Sequence, residues 1–273
     1  MSRIQKVDMK SRKNKSSELI SESSTSRTLS LSYDGELFKA PHKKYQETVL
    51  LVPFFQGKKI NLKRHIEWLN EIGFDCVFFD LKDEWNEVGF HLFTKDNRFG
   101  MKHVWTEQIE TMLSEIPGRK IIFSFSNPSA SAIETIARCG AKDIAGFLCD
   151  SGPSGSLNES MIRYFTVEEP IPFYPVKWVA SWAVTLLWHP NFKKVIHQDL
   201  KKFPKGFRVL SIRGWKDPLI TPQMIDQLFE PHSQIDWQKL SLPEAGHLNG
   251  LKDFRDQYVE PVARFLKEIS TAI

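Results

Sequence analysis

At 273 residues, with 41% hydrophobic and 12% aromatic residues, the chain can build one large α/β domain or two small ones around a sizeable core. Its net charge of +4 is concentrated near the start, so the remainder is near neutral, which argues against an extended nucleic-acid-binding face. Cys76, Cys139 and Cys149 show no paired or CxxC spacing; they argue against a disulfide framework or metal ligation and for a reducing, cytoplasmic setting.

Residues 1–27 carry Arg3, Lys6, Lys10, Arg12, Lys13, Lys15 and Arg27 against Asp8, Glu18 and Glu22. No apolar stretch of the kind a secretory signal requires interrupts them. Their composition predicts a disordered basic leader, with a transit peptide as the other reading. The folded domain is then expected over 28–273.

Residues 28–33 alternate apolar and polar, and Asp34-Gly35 is a tight-turn dipeptide, so a hairpin returning over 36–39 is predicted. The continuous apolar run 48–52 reads as a strand covered on both faces. Asn61 is a candidate cap for a helix over 62–72 with Leu62, Ile66 and Leu69 on one face; Gly73 stops it, and strand 76–80 follows. The same alternation continues with helix 104–116, the breaker Pro117-Gly118, strand 120–124, helix 129–139 and strand 144–149. After a long excursion come strand 207–212, a helix opening at Thr221-Pro222, strand 237–241 and helix 254–269. Alternating β and α elements predict an α/β fold with a mainly parallel, doubly wound sheet.

The excursion, 151–206, is rich in Trp, Phe, Pro and Ile and predicts a helical lid inserted late in the sheet, over the C-terminal strand ends. Within it, 171–188 resembles a membrane span. Pro172, Pro175 and Lys177 lie inside it and His189-Pro190 bounds it, so a buried or lid helix is expected instead of a stable span. Trp182 and Leu186 of this helix, with Phe54, are the candidates to line an apolar pocket.

The chemistry-bearing residues sit where strands end. Strand 120–124 runs through Phe125 into Ser126-Asn127-Pro128 and directly into a helix, so Ser126 is the candidate nucleophile on a strand-to-helix elbow. The usual elbow has glycine two residues either side; here Ser124 and Pro128 stand there. Asp217 follows strand 207–212, and His247 follows strand 237–241. Ser, Asp and His in that order, each in a loop after a strand, is the arrangement in which histidine takes the serine proton and the carboxylate orients the imidazole. The oxyanion would meet the N–H of Asn127 and that of Phe55, or of Phe54, in the turn after the first central strand. Asp150 is a competing acid, but its Asp150-Ser151-Gly152-Pro153 context is turn chemistry, and Asp217 is preferred. His91, His103 and His189 lack partners at metal-ligand spacing and read as surface or lid residues, and no Gly-rich phosphate loop follows a strand; no cofactor is expected.

On these motifs the chain resembles the α/β-hydrolase superfamily over 28–273. More narrowly, four segments are similar to the branch related to fungal indole-diterpene biosynthesis hydrolases and an animal nuclear-envelope membrane protein. They are 50–65 with Asn61-Leu62-Lys63-Arg64-His65, Phe125-Ser126-Asn127, 148–154, and the Asp217 and His247 loops. That branch usually has Ser-Asn-Gly-Gly at the elbow, where this chain has Ser-Asn-Pro-Ser. The resemblance implies a Ser-His-Asp hydrolase.

The expected function is hydrolysis of a small hydrophobic ester or thioester, the apolar lid supplying a dry acyl or aromatic pocket. The alternative is a hydrolase-fold binding or scaffold protein without catalysis, the reading that Pro128 favours.

Overall fold

The computed structural model describes residues 31–82 and 92–273; the leader 1–27, the start of the alternating segment at 28–30, and His91 lie outside the described residues. The chain runs β1 (Glu36–Phe38), β2 (Thr48–Val52), α1 (Lys59–Ile72), β3 (Asp75–Phe78), α2 (Met101–Glu115), β4 (Lys120–Phe125), α3 (Ser129–Cys139) and β5 (Ile144–Asp150). The insertion then supplies α4 (Leu157–Val167), α5 (Tyr174–Trp188) and α6 (Phe192–Lys201). The chain returns through β6 (Arg208–Gly214), α7 (Pro222–Phe229), β7 (Asp236–Leu242), the short α8 (Gly250–Asp253) and α9 (Arg255–Ile269). The strands form one sheet in the order β1-β3-β2-β4-β5-β6-β7, in which β1 alone is antiparallel.

Two expectations are corrected. The turn falls one residue early, with Tyr33 and Asp34 both at φ 53° and Gly35 N–H donating to Ser32 O, and β1 pairs antiparallel with β3. Ser32 is held elsewhere, its N–H and hydroxyl both bonded to Glu115. Asn61 does not cap α1. Lys58 is the N-cap, and Asn61, three residues on, accepts from the Lys58 N–H at 2.8 Å, so the box closes from the N3 side.

Side chains alternate across a strand, and the two faces of the sheet bury separate cores. Leu50, Val52, Val77, Ile122, Phe147 and Val209 point one way and meet Trp105 and Ile109 of α2, Ile133 and Ile136 of α3, Ile196 of α6 and Ile225 of α7. Val49, Leu51, Cys76, Ile121, Phe123 and Leu210 point the other way, against Leu62 and Leu69 of α1 and Tyr258, Val262 and Phe265 of α9. Cys76 and Cys149 are buried in these cores, whereas Cys139, at the end of α3, is exposed. Because the central strands are parallel, their C-terminal ends all emerge at one edge, and the loops there share one region.

Under that edge lies a buried charge cluster joining α2, α3 and α6. Lys102, with no exposed surface, binds Glu134 and lies 2.7 Å from Asp199. His103, a residue expected at the surface or in the lid, is buried against Glu134 at 2.6 Å. Its ring packs edge-on to His189, which caps the end of α5. Burial alone would raise the Glu134 pKa, but the bond from His103 and the Lys102 ammonium outweigh it and hold it at about 2.

Removing Lys102 would leave two buried carboxylates short of their main counter-charge. Lys102→Met is expected to lower the unfolding free energy by about 3 kcal/mol in urea titrations; a loss under about 1 kcal/mol would mean the cluster is dispensable. Since the folded Glu134 pKa lies below its ordinary value of 4.5, this stabilisation is complete above about pH 4.5 and fades as pH falls toward 2. Glu134→Gln should therefore be less stable than wild type at pH 7 and lose less than wild type on further acidification.

Candidate active site

Ser126 follows the last residue of β4 and adopts φ 58°, the left-handed conformation that places a side chain at the top of a strand-to-helix turn. Its N–H donates to Asp150 O at 2.8 Å, and its carbonyl accepts from Ser129 N–H at 3.1 Å. Gly152 presses against this turn: a Cβ there would stand 2.5 Å from Ser126 C and O, so only glycine fits. Pro128 sits at φ −56°, ψ −17°, at the N-cap of α3, where its missing N–H breaks no helical bond. Ser124 points into the core and donates to Ser129 Oγ at 2.7 Å. Ser131 donates to Lys102 O at 2.9 Å instead of bonding back to its own helix, because α2 packs directly against it.

Asp217 and His247 arrive from the ends of β6 and β7. Gly214, closing β6, has no room for a Cβ, since Ala245 O would lie 2.3 Å away; the two loops are in backbone contact. Trp215 N–H donates to Leu242 O, and Lys216 N–H to Ala245 O, which knits them together. Asp217 is buried, and its Oδ1 accepts from Leu219 N–H at 2.8 Å and Ile220 N–H at 2.9 Å. Its Oδ2 lies 2.7 Å from His247 Nδ1, and His247 Nε2 lies 3.1 Å from Ser126 Oγ. With Nδ1–H donated to the carboxylate, Nε2 is free to accept the serine proton.

Asp150 takes no part in this relay. Its Oδ2 accepts from Tyr258 OH at 2.8 Å and its Oδ1 from Ser151 Oγ at 2.9 Å. Complete burial raises its pKa to about 6 against the opposing effect of those two bonds. Ser151 Oγ in turn accepts from Leu248 N–H at 3.0 Å, so Asp150 braces the loop behind His247.

Ser126 and His247 open onto a cavity of about 530 Å³. Phe54 and Phe55, in the turn closed by the Gly57 N–H to Phe54 O bond, form one wall together with Trp105. Asn127 borders the cavity as well, at the start of the turn into α3, where helical N–H groups lack an intrahelical acceptor. Trp182 and Leu186 do not line it. They are 41% and 47% exposed, on the outer side of α5, whereas Val184, Leu187 and Trp188 face inward. The reason is helical phase: 182 and 184 differ by two residues, about 200° around the axis.

The cavity also recruits residues that the sequence did not single out: Met161, Tyr164 and Phe165 of α4, and Leu219 and Ile220 beside Asp217. The Asn127 side chain has its own role, donating to Ser160 Oγ at 3.1 Å and accepting from Ser154 N–H at 3.1 Å, which ties α4 to the elbow. The apolar face of 157–165 was a readable signal for α4; its nearness to Ser126 was not.

No protein-family model matches the sequence, and neither does any curated protein. Among solved structures it is similar to an esterase from Pyrococcus furiosus, with TM-score 0.62 and 15% identity over 87% of this chain and 86% of that one. It is similar also to a monoacylglycerol lipase from Paleococcus ferrophilus, with TM-score 0.59 and 16% identity over 86% of this chain and 98% of that one. A third likeness is to mouse α/β-hydrolase domain-containing protein 10, with TM-score 0.59 and 12% identity over 86% of this chain and 94% of that one. With its seven-stranded, mostly parallel sheet and these likenesses, the chain has the α/β-hydrolase fold.

Proposed function

We propose that the protein is a serine hydrolase that cleaves an ester or thioester of a substrate bearing an acyl chain or aromatic group, through an acyl-enzyme on Ser126. The observation that carries this is the unbroken relay from Asp217 Oδ2 through the His247 ring to Ser126 Oγ, opening on an apolar cavity. In the first half-reaction Ser126 Oγ attacks the carbonyl carbon while its proton passes to His247 Nε2; the tetrahedral oxyanion meets the N–H groups of Asn127 and Phe55. His247 returns the proton to the leaving alcohol or thiol, and Asp217 stabilises the imidazolium between the two transfers. Water, deprotonated by His247, then attacks the acyl carbon and frees the acid and Ser126.

The helical insertion is the lid of this reading, with Val184, Leu187 and Trp188 over the acyl group. The esterase and lipase among the structural likenesses support hydrolysis at the level of fold. Pro128, the feature that would favour a silent scaffold, has helical dihedral angles, and Ser126 before it takes the left-handed turn this reading needs.

Labelling with a fluorophosphonate probe is expected on Ser126 alone, and Ser126→Ala should abolish both labelling and turnover while the protein stays folded. An adduct on Ser129, or none in a folded sample, would defeat the proposal.

Asp217→Asn should lower kcat by about four powers of ten with the fold intact. Asp150→Asn should be mild, because it braces the loop without touching the imidazole; the reverse ranking in steady-state assays would transfer the acid role to Asp150.

Chain-length preference should follow the inner face of α5. Leu187→Trp is expected to cut turnover of p-nitrophenyl octanoate more than that of the acetate, and Trp182→Ala to leave the ratio unchanged. Equal losses with Leu187→Trp would place the acyl group elsewhere.

A further inference from the structure

Helix α5 is apolar toward solvent as well as toward the cavity. Its buried side carries Ser181 and Thr185, and each hydroxyl back-bonds at 2.8 Å to the carbonyl four residues earlier. Lys177, on the same side, donates from Nζ to Thr166 Oγ1 at 3.0 Å. The inward polar groups are thus satisfied within the insertion. The solvent side instead presents Val176, Trp178, Val179, Trp182 and Leu186, each between 41 and 61% exposed. Tyr174, the first residue of α5, and Phe173 before it are exposed as well. A soluble helix normally turns such a stripe toward the core, and a contiguous exposed one marks an interaction surface.

The charge around it indicates the partner. From 173 to 205 the chain has six lysines and no arginine. Lys193 and Lys194, at the start of α6 and just past the end of α5, are exposed; Lys201, Lys202 and Lys205 lie at the far end of α6, by Gln234 and the starts of β6 and β7, and the one acid in that span, Asp199, is buried against Lys102. Protein–protein interfaces enrich arginine and deplete lysine. Lysines beside Trp, Tyr and aliphatic side chains suit anionic headgroups over an acyl boundary. The 15 residues of α5 extend only about 22 Å, short of the roughly 30 Å hydrocarbon core. Among the described residues no helix is long and apolar enough to cross a membrane.

We propose that the outward face of α5 docks on an anionic phospholipid bilayer, lying in its plane. The Trp and aliphatic side chains enter the headgroup–acyl boundary, and Lys193 and Lys194, next to the end of α5, meet lipid phosphates. The opposite side of the same helix, through Val184, Leu187 and Trp188, walls the cavity, so the docked helix stands between bilayer and cavity. Docking does not rest on the acyl-transfer reading.

Flotation of the full chain on vesicles tests this. The protein should float with phosphatidylcholine–phosphatidylserine vesicles and far less with phosphatidylcholine alone. The double variant Trp178→Ser, Trp182→Ser, on exposed positions, should keep the wild-type thermal midpoint and lower the bound fraction by about tenfold. Absence of wild-type flotation, or flotation that the double variant leaves unchanged, would overturn the proposal. So would a dimer in sedimentation velocity that the double variant abolishes, which would assign the face to a second copy. No arm of the assay reads catalysis, so its failure leaves the Ser126 reading standing, and loss of the Ser126 reading leaves docking standing.

Discussion

Ser126 holds a left-handed backbone, and for a residue with a Cβ that conformation costs about 1–2 kcal/mol. It persists because the surroundings leave the turn nowhere else to go. Residue pairing of β4 with β5 sets Phe125 beside Asp150, the Ser126 N–H is bonded to the Asp150 carbonyl, and Gly152 packs backbone to backbone against the turn. Strain of this kind is held by long-range contacts, and it aims one hydroxyl outward above the sheet. The position of every other candidate group is measured from that point.

Parallel pairing does the rest of the assembly. Since β4, β6 and β7 run the same way, the residues just past their ends meet without any long connection. Two aspartates reach this edge and acquire different tasks from their neighbours. Asp217 offers one oxygen to two backbone N–H groups and turns the other to the imidazole. Asp150 is fully buried, which raises its pKa to about 6, and its hydrogen bonds come from the hydroxyls of Tyr258 and Ser151. Through Ser151 it fixes the backbone of the loop that bears His247.

The insertion between β5 and β6 works on two surfaces at once. Its inner residues complete an apolar cavity over Ser126, and the Asn127 side chain fastens α4 to the elbow. Its outer surface is apolar as well, and the inward hydroxyls of α5 are satisfied by its own carbonyls. The Lys102 cluster beneath ties α6 to α2 and α3, so the base of the insertion is anchored by charge as well as by packing.

The alternation of β and α elements, the parallel sheet and the Ser126, Asp217 and His247 positions were legible in the sequence, since apolar period and strand-end chemistry are local properties. The turn chemistry read at Asp150 was not what the side chain does: Asp150 ends β5, and its carboxylate bonds the hydroxyls of Ser151 and Tyr258 instead of local backbone N–H groups. The pairing of β1 with β3 and the burial of His103 were not legible, because each depends on a partner distant in sequence. Trp182 and Leu186 show the limit most clearly. Composition alone marks 171–188 as apolar, and a helix with apolar residues all round does not announce which side faces in. That choice was made by tertiary contacts: α4 and the mouth of the cavity took Val184, Leu187 and Trp188, and two residues of helical phase carried Trp182 to the opposite side.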